Sequence, residues 1–211
     1  MAVYVITDRE QAGRLPGRDL LAVCRAALRA GAGALQLRGK DWSGRQLYEV
    51  GLALRRLADE TGALLFVDDR VDVAQAVGAD GVHVGQEDLP ARVVRALLGP
   101  EAIVGVSAAT PEEARQAEAD GADYLGVGSV WATGSKADAG EPVGLEGLRA
   151  VVAATRLPVV AIGGVDAGRA REARAAGAAG VAVISAVMAA PDPARAVREL
   201  LGAGGTGAAS V

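Results

Sequence analysis

The chain has no asparagine, one cysteine, one histidine and only two lysines, Lys40 and Lys136, in 211 residues. A single cysteine excludes an internal disulfide. Cys24 also falls on the apolar stripe of an expected helix, where a buried structural thiol is expected and a nucleophile is not. The lone His83 has no cysteine near it, which argues against a transition-metal site and leaves no Ser-His-Asp arrangement. It lies inside an expected strand and reads as a packed, hydrogen-bonded core residue. Aromatic residues are 3% of the chain and the net charge is -4, so there is neither a stacking platform nor a basic field for nucleic acid. No apolar run reaches membrane-spanning length and nothing resembles a signal peptide, so a soluble cytoplasmic protein without nucleic-acid or membrane partners is expected. Oligomeric state is left open.

What is present is a large core, with 51% hydrophobic residues, and a repeat. A helix stop of Gly-Ala type precedes a strand at Ala30-Gly31-Ala32, Thr61-Gly62-Ala63, Val77-Gly78-Ala79, Asp120-Gly121-Ala122 and Ala176-Gly177-Ala178. Short apolar runs follow the pattern of strands covered on both faces: Val3 to Thr7, Ala34 to Arg38, Leu64 to Asp69, Gly81 to Gly85, Ile103 to Ser107, Tyr124 to Gly128, Val159 to Gly163 and Gly180 to Ser185. Between the first two, Asp19 can cap a helix whose apolar face is Leu20, Cys24, Ala27 and Leu28. Eight strand-helix units in this length predict an α/β fold, a single (β/α)8 TIM barrel over residues 1–201 with a frayed Gly- and Ala-rich tail over 202–211. An open doubly wound sheet is the runner-up.

Polar residues gather where strands end, the side on which barrel enzymes place their sites. Singly, each is most simply the start of a loop; together they mark a rim. Gln36, Arg38 and Lys40 alternate and form a comb on one side of an extended chain, with two cations suited to a diphosphate. Both lysines of an otherwise arginine-using chain lie in rim loops. Asp69 and Asp88 follow strands three and four; if those strands are neighbours, the two carboxylates can share one magnesium ion together with substrate phosphate. The simpler reading of Asp69 is a pair with Arg70 or a helix cap. Gly163-Gly164 and Ile184-Ser185 end strands seven and eight, where backbone N-H groups often hold a phosphate, and a side chain at 164 would project into that cradle. Ser129 to Gly144, with Thr133, Ser135 and Lys136, reads as a lid.

With Gln36-Leu37-Arg38-Gly39-Lys40, Asp69-Arg70, Val77 to Pro90, Gly105-Val106-Ser107, Ala119 to Gly128, Thr133 to Lys136, Val143 to Arg149 and Pro158 to Val165 in order, nearly the whole chain resembles the thiamine phosphate synthase family. The resemblance implies a (β/α)8 barrel that joins two small molecules, a hydroxymethylpyrimidine diphosphate and a thiazole phosphate, into thiamine phosphate and diphosphate. It implies that Gln36, Arg38, Lys40, Asp68, Ser107 and Lys136 contact the pyrimidine diphosphate, with Lys40, Lys136 and Arg38 stabilising the leaving group. Asp69 and Asp88 would hold one magnesium ion, and Thr133, Ser135, Gly164, Ile184 and Ser185 the thiazole phosphate. Three positions depart from the family pattern: Asp68 replaces Asn, Ala109 replaces His and Ser135 replaces Thr. Two other readings are a thiazole tautomerase, which needs a histidine where Ala109 stands, and a noncatalytic phosphate-sensing barrel, which has no use for the acid pair.

Overall fold

Eight short strands begin at the residues where the apolar runs begin: β1 (Val3–Ile6), β2 (Ala34–Leu37), β3 (Leu64–Asp68), β4 (Gly81–Val84), β5 (Ile103–Ser107), β6 (Tyr124–Val127), β7 (Val159–Ile162) and β8 (Gly180–Val183). All but β5 stop one or two residues before the expected end, where the chain turns into the loop that follows. The structure is a computed structural model that describes residues 2–15, 18–135 and 141–202. Every neighbouring pair is parallel, and β8 closes on β1 in the order β1 to β8, so the sheet is a closed barrel and the open-sheet alternative is excluded.

Between the strands run α1 (Arg9–Ala12), α2 (Leu20–Arg29), α3 (Gly44–Asp59), α4 (Val71–Val77), α5 (Ala91–Leu98), α6 (Pro111–Ala119), α7 (Gly144–Ala154) and α8 (Ala167–Ala175), with α9 (Ser185–Met188) and α10 (Pro193–Gly202) after β8. Asp19 caps α2 as its sequence position predicts, accepting from the Ala22 N-H at 2.7 Å. Gly78 ends α4 in the left-handed region, φ 66°, where its N-H reaches the Ala74 and Gln75 carbonyls. The other four glycines of the repeat share a positive φ. The tail expected from residue 202 lies, from 203 onward, outside the described residues.

Side chains that point outward from the strands meet helix residues such as Leu54 of α3 and Leu148 of α7, both fully buried. Each such leucine contributes about 1.5–3 kcal/mol. Inside the ring the packing is aromatic and polar. Tyr4, Phe66 and Tyr124 meet with ring centroids 5.2, 5.6 and 6.2 Å apart. Two glycines make the room: a Cβ on Gly105 would lie 2.1 Å from Tyr124, and one on Gly126 would lie 2.8 Å from the His83 ring. Among the described residues no helix is long and apolar enough to cross a membrane.

Cys24 is fully buried on α2, and burial, with Asp19 adding to it, pushes its thiol up to about 12. The thiolate is the reactive form. Iodoacetamide at pH 7 should therefore leave the folded protein unlabelled over hours and modify it fully in denaturant; rapid labelling without denaturant would contradict the packing.

Candidate active site

A cleft of about 450 Å³ opens over the strand ends, lined by residues that follow β2 to β8. Its acidic wall stands on β3 and β4, which pair as expected. Regular alternation would send Asp68 and Asp69 to opposite faces. The strand stops at Asp68, however, and Asp69 turns left-handed, φ 59°, while its N-H remains bonded to the His83 carbonyl at 2.9 Å. Both carboxylates consequently line the cleft. Aspartate tolerates that backbone better than most residues, since its short side chain can bond locally.

Asp69 does not pair with Arg70, which takes Asp72. Its partner is Lys40, with Nζ 2.6 Å from Oδ2. Burial raises the Asp69 carboxyl above its ordinary value; the Lys40 hydrogen bond opposes this, and the neighbouring Asp88 carboxylate raises it further. For Lys40, burial works against the charge but is outweighed by Asp69, Asp68 and Asp88, so its pKa is raised. Asp88 is held by its own loop, accepting from the Gly85 N-H at 2.8 Å. Two neighbouring carboxylates, with oxygen donors only, fit a hard cation such as magnesium completed by substrate phosphate and water. Among the described residues, no group of three or more His, Cys, Asp or Glu side chains is placed to hold a metal, so the pair would depend on those outside donors.

The comb of Gln36, Arg38 and Lys40 is split by depth. Lys40 lines the cleft. The Arg38 backbone is pinned by Thr7, whose hydroxyl donates to the Arg38 carbonyl at 3.1 Å and accepts from the Arg38 N-H at 2.8 Å. The Arg38 Nε lies 3.4 Å from Asp68 Oδ2, with these side chains 14% and 8% exposed. Gln36 is part of β2, is 1% exposed, and points into the barrel, where its amide donates to the Tyr4 hydroxyl at 2.9 Å. Neither Gln36 nor Arg38 lines the cleft.

β7 and β8 lie across the closed ring from β3 and β4. There Gly163 (φ 95°) and Gly164 (φ 65°) make a turn, and Gly164, Ile184 and Ser185 line the cleft with Thr133 and Ser135. Ser135 donates to the Ser185 hydroxyl at 3.1 Å, which joins the segment after β6 to the end of β8. A Cβ on Gly164 would meet the Ala132 carbonyl at 2.7 Å and Trp131 Cβ at 2.9 Å. A side chain at 164 thus collides with the base of the expected lid before it reaches any cradle. Lys136 lies outside the described residues.

The cleft between the two walls is also lined by Ser107, Gln86 and Ser129, which belong to the polar strand ends, and by His83, which the sequence places in the packed interior. His83 is buried and hydrogen-bonded as predicted, yet it also faces the cleft, with Nε2 3.0 Å from Ser107 Oγ. Gly126 on β6, where a Cβ would lie 2.8 Å from the His83 ring, leaves the space that ring occupies. Gln11 of α1 was missed by sequence reasoning; its amide reaches Ser135 Oγ at 3.4 Å.

Residues 3–187 match the family model described as thiamine monophosphate synthase. The chain belongs to that family. The thiamine-phosphate synthase of Moorella thermoacetica is 57% identical over 198 residues, 94% of this chain and 93% of its own length. That of Roseiflexus castenholzii is 53% identical over 198 residues, 94% of this chain and 86% of its own length. The solved thiamine phosphate pyrophosphorylase from Pyrococcus furiosus superimposes with a TM-score of 0.86 at 48% identity, covering 96% of this chain and 94% of that one. Of the three departures from the family pattern, Asp68 and Ser135 line the cleft. Ala109 is exposed in the loop before α6, its N-H donating to Glu113 at 2.6 Å.

Proposed function

We propose that this member of the thiamine monophosphate synthase family joins a hydroxymethylpyrimidine diphosphate to a thiazole phosphate in the cleft, releasing diphosphate and forming thiamine phosphate. The observation that carries the reading is a single cleft with two unlike walls on opposite sides of one ring. Lys40, Asp69 and Asp88 stand on one side, and Gly164, Ser185, Thr133 and Ser135 on the other. Two phosphorylated substrates need two such ends, with their reacting atoms between them.

In the reaction the bond between the pyrimidine methylene carbon and the diphosphate oxygen breaks, and its electron pair leaves with the diphosphate. The thiazole nitrogen then forms the new C-N bond with its own lone pair. No side-chain nucleophile or base is required. Asp69 and Asp88 would hold magnesium, which when bound neutralises charge growing on the leaving group. Lys40 adds a cation on the same side, already poised at Asp69. Arg38 would join it on exchanging part of its hold on Asp68 for a phosphate oxygen, and Lys136 is proposed for the same role. Diphosphate release that requires both substrates and magnesium is the deciding assay; release with either substrate omitted, or none with both present, would overturn the reading.

Asp68 gives a separate prediction. Its carboxylate neutralises Arg38 and faces the cleft, so it opposes an incoming diphosphate. Asp68→Asn should tighten pyrimidine diphosphate binding by roughly 1–2 kcal/mol and lower the magnesium requirement. It should also leave Arg38 without its counter-charge, so the free protein should melt at a lower temperature and recover on adding the diphosphate substrate. Titration of both proteins checks this, and unchanged or weaker binding would place Asp68 with the metal instead.

A further inference from the structure

We infer that Gln36 sets the direction of a hydrogen-bonded chain through the barrel interior and thereby fixes the Ser107 hydroxyl as a donor toward the cleft. The chain runs from the Gln36 amide to the Tyr4 hydroxyl at 2.9 Å, on to the Tyr124 hydroxyl at 3.2 Å, to His83 Nδ1 at 3.0 Å, and from His83 Nε2 to Ser107 Oγ at 3.0 Å. Every member before Ser107 is buried, and only the last two line the cleft.

Direction follows from counting protons. An amide nitrogen can only donate, so the Tyr4 oxygen accepts from Gln36. A phenol has one proton, and that of Tyr4 is then free for the Tyr124 oxygen. Tyr124, having accepted, gives its own proton to His83 Nδ1. With Nδ1 accepting, the neutral ring carries its proton on Nε2 and donates it to Ser107 Oγ. The Ser107 proton is left for the cleft. Burial raises the pKa of both phenols, so neither loses the proton that the chain needs at neutral pH. Gly105 and Gly126 open the space in which Tyr124 and His83 stand.

The role assigned to Ser107 rests on the cleft being the pyrimidine diphosphate site. A fixed O-H donor there selects an atom with a free lone pair, a phosphoryl oxygen or an unprotonated ring nitrogen. Gln36, Tyr4, Tyr124 and His83 are positioning residues that act through it.

The chain has one histidine, so protein labelled with 15N-histidine shows one imidazole, and long-range 1H-15N correlations report which nitrogen holds the proton. The free wild-type protein should show Nε2 protonated. Gln36→Glu is nearly isosteric and, once ionised, can only accept, so raising the pH from 6 to 10 should reverse the chain and move the proton from Nε2 to Nδ1. The ionised variant should also raise KM for pyrimidine diphosphate about tenfold while leaving KM for thiazole phosphate within twofold. Should that variant fail to fold, Tyr4→Phe removes the hydroxyl shared by the first two links, and the imidazole should lose its single tautomer and give averaged shifts. Protonation on Nδ1 in the wild type, or an unchanged tautomer in whichever variant folds, overturns the inference. Because the tautomer is read without substrate, a reversed tautomer with an unaltered KM for pyrimidine diphosphate overturns the Ser107 role alone.

Discussion

Turnover should fall by on the order of a hundredfold or more when either Asp69 or Asp88 is changed to asparagine, with partial recovery at high magnesium. Asparagine is the informative replacement at both positions. At 69 the backbone is left-handed, and alanine there would add strain of about 1–2 kcal/mol that asparagine largely avoids. At 88 an amide oxygen can still accept from the Gly85 N-H, so the loop keeps its shape. Each change removes one of two adjacent negative charges near Lys40, and only the change at Asp69 also breaks a direct ion pair with it. A shared ion therefore predicts a similar shift in magnesium dependence for the two variants, despite their different surroundings. Rates measured across a magnesium series check it. Equal loss at every concentration, in proteins that fold normally, would rule out the shared site.

Gly164→Val should abolish or greatly weaken thiazole phosphate binding, by on the order of a hundredfold, while pyrimidine diphosphate binding stays within a few-fold. Valine is β-branched and would be placed at φ 65°, a conformation such residues rarely adopt. Its Cβ would also overlap the Ala132 carbonyl and Trp131, which are backbone and near-backbone atoms that cannot swing aside. Arg169 ties the two together, donating to the Gly164 carbonyl at 2.7 Å and lying over the Trp131 ring. The segment after β6 must shift, and Thr133 and Ser135 shift with it. The opposite wall, on β3 and β4, is untouched. Calorimetry of each ligand on the variant separates the two ends, and normal thiazole phosphate binding would show that its site lies elsewhere.

The strand starts were legible because two independent signals coincide there, a Gly-Ala helix stop and an apolar run. The ends were less so. Thr7, Arg38 and Asp69 belong to the same extended stretches by composition, and only the three-dimensional course shows that each has already turned into a loop. Alternation places Gln36, Arg38 and Lys40 on one side of the chain but says nothing of depth, and Gln36 is enclosed in the barrel while Lys40 lines the cleft. The left-handed turn at Asp69 has no sequence marker, because aspartate is common in ordinary backbone too. The interior hydrogen-bonded chain was invisible for another reason. Tyr4 and Tyr124 are 120 positions apart, and no local pattern announces that they touch.

Gly105 and Tyr124 face each other across β5 and β6, and the ring of one occupies the space where the other would carry a side chain. The two positions therefore cannot vary freely. A methyl at 105 is an overlap while the tyrosine is present, and a small residue at 124 is a void while the glycine is present. Along any lineage the pair must change together or in a narrow order, so a substitution harmless in one relative can be ruinous in another. The effects of the two changes are epistatic by construction, a property set by barrel geometry before any selection on catalysis.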